Sequence, residues 1–252
     1  MFNLLFLVTL FIAGILEATK LEPRIIGGDY TDIKRFPHSV LIIVDCKDPF
    51  LCGGSILTDR IVLTAGHCLF PCASVVDVSI LLKYGHEISE YMASTMASKF
   101  VTHGQYDDDA LINDIGMVYA EHAMDFNDNV QRIALTGPYY FYRPRYAYVA
   151  GWGIVNSRGD SAISLKYAKQ SFSSANDCYS LHRNSPGIIC TGGVYAEEYP
   201  HQGDSGSALI IFDYIQIGIV SFKHPQYGLI GYTNTTYYYD WIVSTSRKIH
   251  CS

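Results

Sequence analysis

Short apolar runs separated by turn residues follow one another along most of this chain, and this pattern constrains the fold more than any other feature. The runs have the length and the β-branched and aromatic content of strands, and strong helical periodicity is missing. They lie at residues 40–44, 54–57, 61–64, 76–82 and 115–119, and then at 145–151, 165–172, 187–190, 207–212, 215–222 and 229–233. An all-β barrel or sandwich is therefore predicted.

The pattern changes in two places. Residues 120–137 are polar and poor in pattern, so they are predicted to link two halves of one domain spanning residues 25–252. At the other end, Trp241, Ile242 and Ile249 with their polar neighbours indicate an amphipathic C-terminal helix.

The N-terminus predicts secretion. Residues 4–16 form an apolar run followed by small and polar residues, which is typical of a signal peptide over about residues 1–18. The run is too short to span a bilayer comfortably. The net charge of −6 and the absence of a Lys/Arg run argue against a nucleic acid or an anionic membrane as partner.

Seven cysteines in a secreted chain imply disulfides, with at least one cysteine left over in the monomer. Their spacing is unlike that of zinc ligands, and the histidines form no His-Glu-x-x-His helix motif. We therefore expect neither a metal ion nor another cofactor.

Residues 19–24 end in a basic residue, Arg24, which is followed by Ile25-Ile26-Gly27-Gly28. This arrangement indicates an activation peptide that is removed by cleavage after Arg24. The new ammonium group on Ile25 would need a buried carboxylate, and Asp204 is the candidate. At this point a basic surface loop explains Arg24 equally well.

The stretch from Gln202 to Ser207 mounts a serine on a glycine-flanked turn directly before an apolar run. Glycines permit turn geometries closed to other residues, so the N–H groups of Gly203 and Ser205 can converge on one substrate oxygen. A lone Gly-Asp-Ser-Gly is more often an ordinary polar turn, and Ser205 needs a base to become a nucleophile.

Two further islands supply the missing roles. His67 follows a strand and precedes a cysteine, and Asp114 stands at the head of an apolar strand. Each alone is more often a surface residue or a turn former. Together with Ser205 they provide a nucleophile, a general base and a carboxylate that orients the base, in the order His, Asp, Ser.

With these motifs the sequence resembles the trypsin/chymotrypsin family of serine endopeptidases from Ile25 to the C-terminal helix. The resemblance is carried by residues 24–28, 63–68, 113–115, 151–153 (Gly-Trp-Gly), 203–206, 219–221 (Ile-Val-Ser), 232–233 (Tyr-Thr) and 240–242 (Asp-Trp-Ile). It implies two six-stranded antiparallel β-barrels with the active site between them. His67, Asp114 and Ser205 would be the catalytic triad, Gly203 and Ser205 the oxyanion hole, and Ser221 a support for Asp114 that also opens a substrate-pairing segment.

The resemblance also implies a disulfide pattern. By family position, Cys52 pairs with Cys68 and Cys178 pairs with Cys190. The loops of Cys46 and Cys72 are neighbours in the family fold, so we predict that they pair as well. Cys251 is then unpaired or intermolecular, and the protein is a monomer unless Cys251 links two chains. The loop that binds calcium in some family members is largely missing here.

The primary substrate pocket departs from the family pattern. Tyr199 occupies the pocket floor, where trypsin-like members have an aspartate, and Lys223 and Ile230 stand where roomy pockets carry glycines. Cleavage after Arg or Lys is not expected, and a narrow pocket for small or medium side chains is predicted. Phe222 is expected to pack against the neighbouring substrate residues. Lys223 repels cationic substrates and attracts acidic ones, unless Glu197 and Glu198 offset its charge.

The expected function is that of a secreted serine endopeptidase made as a precursor. Its expected partners are protein or peptide substrates, an activating trypsin-like protease and proteinaceous inhibitors. The alternative is a protease-like binding or regulatory protein with weak or very restricted hydrolysis. The sequon Asn234-Thr235-Thr236 predicts N-glycosylation.

Overall fold

A computed structural model describes residue 25 and residues 27–137, 144–153, 164–174, 176–178, 187–193 and 195–251. The predicted signal peptide at 1–18 and the predicted activation peptide at 19–24 lie outside the described residues. Strands make up most of the regular secondary structure of the described chain, and a helix, α1 (Tyr239–Cys251), ends it. The all-β class and the C-terminal helix are confirmed.

Six consecutive strands form the first barrel. They are β2 (Ser39–Asp45), β3 (Phe50–Ile56), β4 (Ile61–Thr64), β5 (Ser79–Tyr84), β6 (Ala93–Thr102) and β7 (Gly116–Ala120). The sheet is antiparallel and closes in the order β2-β3-β4-β7-β6-β5. In β5 the side chains of Ile80, Leu82 and Tyr84 point into the core at every second residue, as the two-residue period of a strand requires.

The other strands form one eight-stranded sheet. They are β1 (Asp29–Tyr30), β8 (Ala134–Leu135), β9 (Tyr146–Gly151), β10 (Lys166–Ser171), β11 (Ile188–Gly192), β12 (Ala208–Ile211), β13 (Ile215–His224) and β14 (Leu229–Asn234). Their order is β1-β10-β9-β12-β13-β14-β11, and β8 pairs in parallel with β13.

Six strands of this sheet, β9 to β14, correspond to the expected second barrel, and β10 and β11 are its two edges. Among the described residues, one isolated bridge joins these two edges. The expected second barrel is therefore closed less completely than the first. Phe172, just after β10, bridges Thr191 of β11, and the N–H of Ser173 donates to the carbonyl of Cys190 (3.1 Å). At this seam between β10 and β11, the Thr191 hydroxyl donates to Oε1 of Gln170 (2.8 Å). Side-chain hydrogen bonds thus connect β10 and β11 where backbone pairing between the two strands is incomplete.

Residues 120–137 are more than a bare connection. Met124, Val130 and Ile133 are buried, and the strand β8 pairs with β13 of the second sheet. The N–H of Ile133 donates to the carbonyl of Ile56 in the first barrel (2.8 Å). The segment therefore packs against both halves, although its polar sequence predicts a plain linker.

The helix α1 lies on the first barrel. Ile242 and Ile249 are buried in the same cluster as the first barrel's core, and the N–H of Ile242 donates to the carbonyl of Tyr238 (2.9 Å). No helix among the described residues is long and apolar enough to cross a membrane.

Three disulfides join the pairs that the family resemblance implies. Cys46 is bonded to Cys72, Cys52 to Cys68 and Cys178 to Cys190. Cys251 is a free, exposed thiol near the end of α1.

The buried His38 makes the stability of this fold sensitive to acid. Burial lowers the pKa of its imidazole to about 3, against about 6.5 in the unfolded chain. Below about pH 6.5 the unfolded state binds a proton that the folded state does not. The free energy of unfolding should then fall by up to about 1.4 kcal/mol per pH unit between about pH 6.5 and 3.

We expect His38→Gln to make this pH dependence shallower by up to one proton, as measured by urea unfolding at a series of pH values. His122→Gln, at an exposed histidine, is the matched control and should keep the wild-type slope. An unchanged slope in His38→Gln would contradict the assignment.

Candidate active site

Asp114 lies two residues before β7 and is 1% exposed, so its charge must be met by hydrogen bonds within the protein. Its Oδ1 accepts from the backbone N–H of His67 (2.8 Å), and its Oδ2 lies 2.9 Å from Nδ1 of the His67 ring. The hydroxyl of Ser221 donates to the same Oδ2 (2.5 Å). Three donors therefore surround one buried carboxylate.

The position of Ser221 follows from an irregularity in β13. Val220 pairs with Tyr232 and Phe222 pairs with Gly231, so Ser221 is an extra residue at a register shift. Such a bulge redirects a side chain relative to its neighbours. Here it accompanies a serine that is buried and bonded to Asp114 rather than exposed to solvent.

The backbone around Asp114 is fixed by two further hydroxyl groups. Thr233 in β14 donates to the carbonyl of Asp114 (2.6 Å). Tyr238, just before α1, donates to Oδ1 of Asn113 (2.9 Å), whose backbone has a φ of 56°. Neither donor is identified as a site residue from the sequence, although Thr233 lies in the C-terminal motif that carries the family resemblance.

His67 lies on the turn that follows β4, next to the disulfide between Cys52 and Cys68. If its Nδ1 carries a proton and donates to Asp114, its Nε2 is left as a lone-pair acceptor. Burial by itself lowers the pKa of the His67 imidazole. The hydrogen bond and charge of Asp114, together with the charge of Asp108, outweigh burial and raise that pKa above its ordinary value.

Ser205 is held close to the same part of the first barrel by its backbone. Its carbonyl accepts from the N–H of Gly53 in β3 (2.6 Å), one residue from Cys52. Gly206 has a φ of 88°, and a Cβ there would collide with Oγ1 of Thr64 and the carbonyl of Gly53. Glycine at this position therefore lets the serine loop approach the strands that carry His67.

Asp204 is completely buried beside this loop. Its Oδ1 accepts from the N–H of Gly153 and its Oδ2 from the N–H of His201, both at 2.9 Å. Ile25, the expected new N-terminus, is also completely buried and packs in the core of the second sheet. Both members of the predicted activation pair thus lie in the second half of the fold.

The four residues predicted to shape the primary pocket are neighbours. Lys223 pairs with Ile230 across β13 and β14, and the Lys223 ammonium lies 3.5 Å from the centre of the Tyr199 ring. Tyr199 also packs against the cluster that contains the buried Ile230. Phe222 covers Gly231 so closely that a Cβ on Gly231 would collide with its ring.

Cys52, His67 and Cys68 bring their potential ligand atoms within 4.8 Å of one another. Both sulfur atoms belong to one disulfide, and metal binding by cysteine needs a thiolate. This cluster therefore does not provide a metal site.

Comparison with known proteins identifies related sequences and folds. The trypsin family model matches residues 25–242. Trypsin beta of Drosophila erecta is 31% identical over 81% of this chain and 80% of its own length. The collagenase of Hypoderma lineatum is 27% identical over 88% of this chain and 86% of its own. A crystal structure of the scabies mite inactivated protease paralogue S-D1 is similar, with a TM-score of 0.78 and 25% identity, and covers 88% of this chain and 97% of its own.

The effect of Asp108 on His67 was not foreseen from the sequence and can be measured. Asp108 accepts a hydrogen bond from the hydroxyl of Tyr106 (2.7 Å). Its negative charge favours the imidazolium form, so Asp108→Asn should lower the pKa of His67. NMR titration of the imidazole protons measures this shift. Asp128→Asn, at an exposed aspartate, is the control, and an unchanged or higher pKa in Asp108→Asn would refute the coupling.

Proposed function

Because the chain belongs to the trypsin family of serine endopeptidases, we propose that it hydrolyses peptide bonds with Ser205 as nucleophile, His67 as general base and Asp114 as the carboxylate that orients His67. The observation that carries this proposal is the buried Asp114 carboxylate, which accepts from Ser221 and from His67. A carboxylate with these partners holds the imidazole in one tautomer and stabilises the imidazolium that forms.

The reaction runs in two halves. The Ser205 hydroxyl attacks the substrate carbonyl while Nε2 of His67 takes its proton, and the N–H groups of Gly203 and Ser205 stabilise the oxyanion. The C–N bond then breaks, and His67 returns the proton to the leaving amine. A water molecule, deprotonated by His67, cleaves the resulting ester, which releases the carboxylic acid and restores Ser205.

The primary specificity proposed for this site is not tryptic. Tyr199 offers no carboxylate to a substrate Arg or Lys, and the Lys223 ammonium repels either cation. Ile230 is buried and Tyr199 packs against the same apolar cluster, which supports a narrow pocket with a preference for small or medium side chains. Phe222, which lies over Gly231, would contact the adjacent substrate residues.

We also propose that activation follows cleavage after Arg24. The free ammonium of Ile25 would pair with Asp204, because a buried ammonium needs a buried carboxylate to compensate its charge. The two N–H groups that already reach Asp204 come from Gly153 and His201, so the carboxylate connects two loops of the second half of the fold. Ion pairing there would order both loops together.

The predicted signal peptide at about residues 1–18 and the disulfides support a secreted protein, since disulfides persist in oxidising compartments. Protein substrates follow from the family. An activating protease, proteinaceous inhibitors and a monomeric state are proposals, as is glycosylation of Asn234. Asn234 is half-buried, and its Oδ1 accepts from the N–H of Thr236 (3.1 Å).

A protease-like binding protein is the second candidate, favoured by one observation. The Lys223 side chain lies over Tyr199, so the proposed primary pocket is partly filled by the protein itself. The similar scabies mite protein is described as an inactivated protease paralogue. Covalent labelling of Ser205 by a serine-directed phosphonofluoridate after cleavage at Arg24 separates the two candidates, because a binding protein with no working triad stays unlabelled.

Substitutions in the triad test the endopeptidase directly. Ser205→Ala should abolish turnover and labelling, and Asp114→Asn should lower kcat by about 10⁴, the size known for the equivalent change in this family. Peptide hydrolysis by the activated protein measures both. Ser246→Ala, on helix α1, is the control and should retain wild-type turnover. Near-normal turnover in Asp114→Asn would identify a different acid.

Arg24→Gln tests activation. It removes the basic residue that a trypsin-like protease recognises, so the variant should be a stable and inactive precursor. Intact mass and peptide hydrolysis after trypsin treatment are the measurements. Arg35→Gln, at an exposed arginine within the domain, should still be activated. Full activity of uncut Arg24→Gln would rule out this route.

A further inference from the structure

We propose that Lys223 selects the substrate residue on the acyl side of the scissile bond, and that it selects aspartate or glutamate. This inference rests on the proposed endopeptidase function and narrows it from small or medium side chains to acidic ones. It is drawn from where the Lys223 ammonium lies and from what surrounds it.

The Lys223 side chain is exposed, and its ammonium lies over the proposed floor of the pocket. Lys223 belongs to β13 and pairs with Ile230 of β14, and its Nζ lies 3.5 Å from the centre of the Tyr199 ring. Tyr199 is six residues before Ser205, at the position that forms the pocket floor in this family. The charge therefore lies above the ring of Tyr199, the proposed floor, where a substrate side chain would arrive.

The charge has no anionic partner within the described part of the chain. No carboxylate there lies within ion-pairing distance of the Lys223 ammonium. Glu198, one of the two acids expected to offset it, instead accepts a hydrogen bond from the N–H of Lys169 (2.8 Å) on β10. Glu197 is exposed. The aromatic face of Tyr199 is what the ammonium contacts.

A substrate carboxylate is a better partner than that ring. A cation–π contact at an exposed site is weak, whereas an ammonium–carboxylate hydrogen bond is among the stronger polar interactions in proteins. A carboxylate entering the pocket would accept from Lys223 and displace it from Tyr199. A neutral substrate side chain has to displace the Lys223 ammonium from Tyr199 without gaining an ammonium–carboxylate hydrogen bond. A cationic substrate side chain is repelled by the ammonium.

The pocket walls set the size of what can enter. Ile230 is 1% exposed, and Tyr199 packs against the same apolar cluster, so the floor cannot deepen without disturbing the core. The Phe222 ring closes over Gly231 on the neighbouring strand position. Aspartate and glutamate are short enough for such a site, and their charge matches its cation.

The test compares matched peptides that differ only in the residue before the scissile bond: Asp, Asn, Glu, Gln, Ala, Arg and Phe. Protein activated by cleavage at Arg24 is used, and its active fraction is set by phosphonofluoridate labelling of Ser205. The wild type should have a kcat/KM for Asp over Asn, and for Glu over Gln, of about tenfold or more, the effect of one charge-assisted hydrogen bond.

Lys223→Gln should reduce both ratios to about one, and Lys223→Glu should make the acidic peptides the poorer substrates. Lys169→Gln is the matched control: Lys169 is also exposed and its Nζ lies 3.7 Å from the centre of a tyrosine ring, Tyr146, but on the outer face of β10. It should keep the wild-type ratios. Labelling of Ser205 at the wild-type rate in each variant shows that the fold and the triad are intact.

The outcomes separate this inference from the function on which it rests. Cleavage of the alanyl peptide without a preference for acids overturns the role of Lys223 and leaves the endopeptidase standing. An acid preference that survives Lys223→Gln overturns it as well. If no peptide is cleaved and Ser205 is not labelled, the endopeptidase proposal fails and the inference fails with it.

Discussion

The architecture of the site depends on the hydrogen bonds that the buried Asp114 carboxylate accepts. A fully buried charge is tolerated only when donors surround it, and breaking such a set costs about 3–5 kcal/mol. The donors come from widely separated parts of the sequence: His67 follows β4 of the first barrel and Ser221 lies on β13 of the second sheet. Thr233 on β14 fixes the backbone carbonyl of the same residue. The hydrogen bonds to the Asp114 carboxylate thus connect the first barrel with the second sheet.

The second sheet uses polar side chains to close a seam that the backbone alone does not close. Gln170, Thr191 and Tyr232 are buried and hydrogen-bonded to one another, and burial raises the pKa of the Tyr232 phenol. The amide of Gln170 also donates to the carbonyl of Glu198 (3.0 Å), one residue before Tyr199. The seam therefore anchors the loop that presents Tyr199, so barrel closure and pocket position depend on the same side chains.

Much of this arrangement is predictable because it depends on local sequence signals. Strand-length apolar runs, the glycine-flanked Ser205 and the motifs around His67 and Asp114 each identify themselves without knowledge of the fold. What the sequence does not reveal depends on register. The register shift at Ser221 lies in a strand, β13, whose apolar residues are also interrupted by Gln216 and Gly218, so composition alone does not distinguish it. The packing of residues 120–137 is not evident from the sequence either, because the buried Met124, Val130 and Ile133 are spread along a stretch rich in polar residues.

The proposed catalytic residues and the proposed specificity residues are under different physical constraints in this molecule. Substitution of Asp114 or Ser221 leaves a buried donor or a buried charge without its partner. Such a substitution lowers the free energy of unfolding as well as the rate of hydrolysis. Lys223 is exposed, and its contact with Tyr199 is worth little to stability, so the fold places almost no restriction on that position. An ammonium in the proposed pocket is therefore compatible with an undisturbed Asp114 network. Substitution of the exposed Lys223 can therefore change which substrate side chain is accepted, while the buried Asp114 network continues to hold His67 in place.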